Sequence, residues 1–107
     1  MAWTSFHRRA TVLREVIAVL DARVDGVLPM DLPGVREVFG DETDLLGALR
    51  MKWHTRVAGY RELELMTNPH DIAAATESAR TAAARDLPGI RAALDRHPSG
   101  RVPERAL

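Results

Sequence analysis

Residues 41–66 read DETDLLGALRMKWHTRVAGYRELELM. No proline interrupts them. Asp41, Glu42 and Asp44 crowd the N-terminal end, where the positive pole of a helix dipole favours negative charge. On a helical wheel at about 100° per residue, Leu46, Leu49, Trp53, Val57 and Tyr60 share one arc, with Leu45 and Leu63 at its edge. Gly47, Met51, Ala58 and Leu65 fall on a second arc. A helix apolar on two sides is central in its bundle. The stretch therefore predicts a long helix over about 42–66, packed by a first helix on one side and by C-terminal helices on another.

The same stretch holds an unusual run of bases. Arg50, His54 and Arg61 fall between the two arcs, within roughly 40° of one another. Lys52 and Arg56, four apart, fall on the far flank. Two accounts of the Arg50/His54/Arg61 stripe compete. In the first, its charges pair with Glu15, Asp21 or Glu77 on neighbouring helices, a role that suits the planar fork of arginine. In the second, the stripe, with Lys52 and Arg56 nearby, is a binding surface for an anion or an acidic partner. Ion pairing is the expectation, and Trp53 and Tyr60 are read as core residues because they lie among leucines. A helix-turn-helix reading fails on charge. The start of the second helix, which would enter a major groove, carries Asp41, Glu42 and Asp44.

The N-terminal stretch TSFHRRATVLREVIAVLDARVDG (residues 4–26) reads as a first long helix over about 5–25. Thr4 or Ser5 is positioned to cap it. Phe6, Ala10, Leu13, Ile17, Leu20 and Val24 form its apolar stripe, and Asp25-Gly26 ends it. Pro29 and Pro33 force a loop, then a short helix over about 33–39 stops at Gly40. Asn68-Pro69 breaks the chain before a third long helix over about 69–85, with Pro69 at its first position. Ile72, Ala75, Ala79, Ala82 and Ala83 share a face of that helix, and small side chains let another helix approach closely. A second short helix over about 87–96 ends at Pro98-Ser99-Gly100.

The tetrapeptide DLPG occurs twice, in DLPGVREVFG (31–40) and DLPGIRAALD (86–95). The plain account is a helix-start cassette with Asp31 and Asp86 as N-caps; the alternative is a duplicated long-helix/short-helix unit. The expected architecture is all-α: a compact bundle of three long and two short helices, with a single domain over 1–98 and a flexible tail over 99–107.

Composition narrows the function classes. The chain has 107 residues and is 46% hydrophobic, with fifteen basic and fifteen acidic residues and no cysteine. Zero net charge argues against a general nucleic-acid binder. The missing cysteines exclude disulfides, thiolate zinc sites and cysteine nucleophiles. Lys52 is the only lysine, and the arginine and alanine bias suits a GC-rich genome. His7-Arg8-Arg9 faintly resembles an export signal, but Arg14, Glu15 and Asp21 interrupt the apolar run that must follow. No segment approaches a membrane span, so a cytoplasmic location is expected.

Catalytic signatures are missing. There is no Gly-rich phosphate loop, HExxH, GxSxG or ExxH pair. His7, His54, His70 and His97 are scattered, and Asp71 beside His70 is placed to cap a helix. Glu62 and Glu64 project about 200° apart and cannot share a reacting centre. No catalytic residue, metal or cofactor is expected.

The segments SFHRR, VLREVI and KWH, spread with their neighbours over residues 5–95, resemble a group of small all-helical proteins of high-GC Gram-positive bacteria. The resemblance implies an all-helical domain and supplies no catalytic residues. The resulting expectation is a non-enzymatic, cytoplasmic protein-interaction module whose partner is another protein. The alternative is a nucleic-acid-associated or regulatory helical protein that uses the basic helix from Arg50 to Arg61.

Overall fold

The computed structural model describes residues 2–98, with side chains from Thr4 onward. The expected tail over 99–107 lies outside the described residues. The regular structure among the described residues is helical throughout: α1 (Ala2–Arg23), α2 (Val35–Phe39), α3 (Glu42–Thr67), α4 (Ile72–Asp86) and α5 (Pro88–Arg96).

The acids at the start of α3 do more than complement the helix dipole. Asp41 caps it, its carboxylate accepting from the Asp44 amide at 2.9 Å, and Asp71 caps α4 by accepting from Ala74 at 3.0 Å. α3 and α4 form a hairpin in which Ala75, Ala79 and Ala83 are fully covered, as a small-residue face allows. α5 lies across the base of this hairpin and against α1, while α2 bridges α1 and α3. The largest fully buried side chains, Val16, Leu20, Val35, Leu45, Leu49 and Ile90, come from the other four helices, and α4 adds its alanines.

Several expectations are corrected. α1 does not pack on α3: no Cα of one lies within 8 Å of the other among the described residues. The second apolar arc of α3 is therefore not an internal face. Gly47 and Ala58 are exposed, Met51 is 67% exposed and Leu65 is half-buried. The first arc fades toward its far end, where Leu63 is exposed. In α1 the buried residues are Val12, Val16 and Leu20; of the stripe read from the sequence Leu20 is among them, while Leu13 and Ile17 are half-buried at the edge of the core. Phe6 faces solvent, and Val24 is exposed because it lies past the end of α1 with a positive φ of 52. α1 extends through Thr4 and Ser5 back to Ala2, so their hydroxyls lie within its first turn rather than at its cap. Pro69 lies in the turn before α4 and is not its first residue.

The two DLPG segments do different work. At the first, Gly34 takes the left-handed conformation (φ 91) that precedes α2, and Asp31 makes no cap bond. At the second, Gly89 is helical, and a Cβ there would come under 3.0 Å from the Leu20 and Asp21 backbone. Asp86 is not the cap of α5 either. That position is Leu87, which offers no side-chain acceptor. The carboxylate that serves the start of α5 is Asp21 of α1, which accepts from the Gly89 amide at 2.9 Å. The cap comes through space because the missing Cβ at Gly89 lets the two helices touch.

Candidate functional site

The Arg50/His54/Arg61 stripe opens onto the concavity between α3, α4 and α5. Two adjoining hollows of about 450 and 350 Å³ lie there, and Trp53, His54 and Arg91 wall both. Arg61 of α3 and Arg80 of α4 line the first hollow, and Arg50 lines the second. Four arginines and a histidine from three helices thus face one groove.

Ion pairing, the role expected for the stripe, is not what these side chains do. Among the described residues Arg50, His54 and Arg61 make no ion pair and no side-chain hydrogen bond. Of the three acids expected to pair with them, Asp21 is engaged with Gly89, while Glu15 and Glu77 make no ion pair among the described residues. The cause is partly local. On a helix, neighbours lie three and four positions apart, and no acid stands at those distances from Arg50 or His54.

The floor is Trp53, 6% exposed and so a core residue as expected. Arg91 lies over its ring, the guanidinium carbon 4.6 Å from the centroid. Asp95, one turn on, pairs with Arg91 Nη2 and holds it there. Arg91 Nε is buried without a hydrogen-bond partner among the described residues. Asp95 is the one acid lining either hollow. The groove offers planar, many-donor cations over an aromatic floor, the chemistry that recognises carboxylates and phosphates.

Lys52 and Arg56 belong to the other side of α3 and part company there. Arg56 Nη1 donates to Asp86 Oδ2 at 2.9 Å, and Tyr60 donates its hydroxyl to the same oxygen. These bonds hold the Asp86 carboxyl below the usual carboxylate range, the tyrosine bond contributing most. The same bond, helped by desolvation and the negative charge of Asp86, pushes the Tyr60 phenol up. Lys52 makes no ion pair among the described residues.

Of the five bases singled out in the sequence, three thus meet in one groove and two do not. The sequence reading missed Arg80 and Arg91. Arg91 carries a faint local signal in its spacing from Asp95; Arg80 carries none, because only the α3–α4 hairpin brings it near Arg61. Among the described residues no group of three or more His, Asp or Glu side chains is arranged to hold a metal ion. No described helix is long and apolar enough to cross a membrane. Comparison of the chain with protein-family models, curated proteins and solved structures finds no match.

Proposed function

We propose that this chain is a non-enzymatic protein-interaction module whose α3–α4–α5 groove docks an acidic segment of another protein. The observation that carries the reading is the unpaired state of Arg50, His54 and Arg61 beside Arg80 and Arg91. Acids are not scarce, since the chain has as many as bases. Only one acid, Asp95, lines this groove, and Arg91 holds it, which leaves the donors of Arg50, Arg61 and Arg80 available; like charges gathered without partners repel one another until an anion arrives. A protein segment suits the site better than nucleic acid. The cationic zone is short, Asp95 sits inside it, and the N-terminal turn of the same helix is acidic, so a long phosphate backbone laid along α3 would meet repulsion.

The test is a salt series with a fluorescent peptide rich in Asp and Glu, run against a DNA and an RNA oligomer of equal charge. Saturable peptide binding that weakens as salt rises, and falls at least about tenfold in an Arg61→Ala/Arg80→Ala double variant, supports the reading. Tighter binding of either oligomer at matched salt, with the steep salt slope of phosphate contacts, would transfer the site to the nucleic-acid alternative. Absence of peptide binding at low salt would remove the proposal.

A further inference from the structure

A third hollow, separate from the two of the cationic groove, lies on the opposite flank of α3. It has a volume of about 640 Å³, larger than either part of the groove and within the range of small-molecule sites. It exists because α1 and α3 diverge and only the five-residue α2 spans them. Leu13 of α1, Val38 of α2 and Ala48 and Met51 of α3 give it apolar walls. Phe39 lines it as well, with Arg9 over its ring at 4.7 Å.

Gly47 is the informative residue. It lies inside α3, where glycine weakens a helix relative to alanine. Nothing about its backbone demands glycine: its φ is not positive, and a Cβ would meet no atom within 4 Å. The feature that a side chain at this position would remove is the open space of the hollow, which Gly47 lines.

The polar groups around this space are mostly donors. Lys52, the only lysine of the chain, lines it without an ion-pair partner among the described residues. Thr43 and Thr55 line it with hydroxyls that make no hydrogen bond among the described residues. Arg56 lends a charge already shared with Asp86. Asp44, at the α2 end, is the one acid in the lining. Apolar walls, an unpaired ammonium with threonine hydroxyls beside it and a single opposing carboxylate suit one anionic head on an apolar body and disfavour a polyanion.

We propose that this hollow binds a small amphipathic monoanion, a medium-chain or aromatic carboxylate, with its head group on Lys52 and Thr55 and its body along Met51, Gly47, Val38 and Leu13. Met51 suits such a wall, because the unbranched thioether side chain adapts to the shape of what it covers.

The experiment uses decanoate and its uncharged analogue decanamide, titrated into the full chain and followed by amide chemical shifts. Decanoate is expected to give saturable shifts centred on residues 43–56, with decanamide weaker by at least about tenfold. Gly47→Leu should fill the space, leave the melting temperature equal or higher, and weaken decanoate by at least about tenfold. Lys52→Gln should weaken it several-fold, and Arg61→Ala, in the other groove, should leave it unchanged. If Gly47→Leu does not fold, Gly47→Ala and Lys52→Gln carry the same comparison. The proposal is overturned if decanoate does not saturate, if decanamide binds equally well, if the Gly47 variant binds like wild type, or if the loss follows Arg61. Failure to bind any small carboxylate would leave the hollow to a macromolecular partner and would say nothing against acidic-peptide docking in the cationic groove.

Discussion

Tyr60 and Arg56 both donate to one oxygen of Asp86, and this small cluster ties the middle of α3 to the end of α4. Because the folded Asp86 carboxyl lies below its ordinary range, its contribution is present above the unfolded value, about 4, and is lost as pH falls through the folded one. Asp86→Asn should therefore melt below wild type at neutral pH, and the gap should close as pH drops below roughly 4; a gap independent of pH would mean that the carboxylate charge is not what matters. Arg61 has the opposite character. With no acid to leave stranded, Arg61→Ala should melt at or slightly above wild type at low salt, and any difference should shrink as salt screens the exposed charges. A clear destabilisation by Arg61→Ala, read from a thermal melt, would reinstate the ion-pairing account. Trp53 is a core residue, and Trp53→Ala should cost about 3–5 kcal/mol in a denaturant titration, the range for truncating a buried aromatic; a loss under about 1 kcal/mol would place the indole at a surface.

At the scale of the helices, the cap that matters at α5 is borrowed from α1. Asp21→Ala should cost about 0.5–2 kcal/mol, whereas Asp31→Ala, at a helix start with no side-chain cap, should stay within about 0.5 kcal/mol of wild type. Chemical denaturation of the two variants side by side checks both, and the reverse order would restore the cassette reading. The contrast also shows which features are legible in a sequence. The existence and approximate ends of all five helices could be read, because proline breaks, glycine stops and the acids before Leu45 act within one or two turns. Asp21 could not be read as a cap, since its partner stands 68 positions away. Nor could the burial of Val12 and Val16 ahead of Leu13 and Ile17 in α1, which depends on where α5 and α2 approach. The candidate site divides the same way: the Arg50/His54/Arg61 stripe follows from spacing on one helix, while Arg80 and Arg91 join it only through the packing of three.

Across the whole molecule the packing is uneven along α3. Its buried residues, Leu45, Leu46, Leu49 and Trp53, all belong to the first half. The second half is held to α4 chiefly through alanines, and Leu63, Met66 and Ile72 at the far end are exposed, Met66 by 80%. A segment with few large apolar contacts opens at a lower free energy than the core it extends from. Backbone amides of residues 61–75 should therefore exchange with deuterium well before those of 45–53 and 90–94, in a local opening that leaves the rest of the fold intact. Arg61 sits on that fast-exchanging end, and Arg80 lies on the α4 arm of the same hairpin. An acidic segment seated between them would have to hold the hairpin shut, so occupancy of the groove should be recorded as slowed exchange at its tip, beyond the residues the ligand touches.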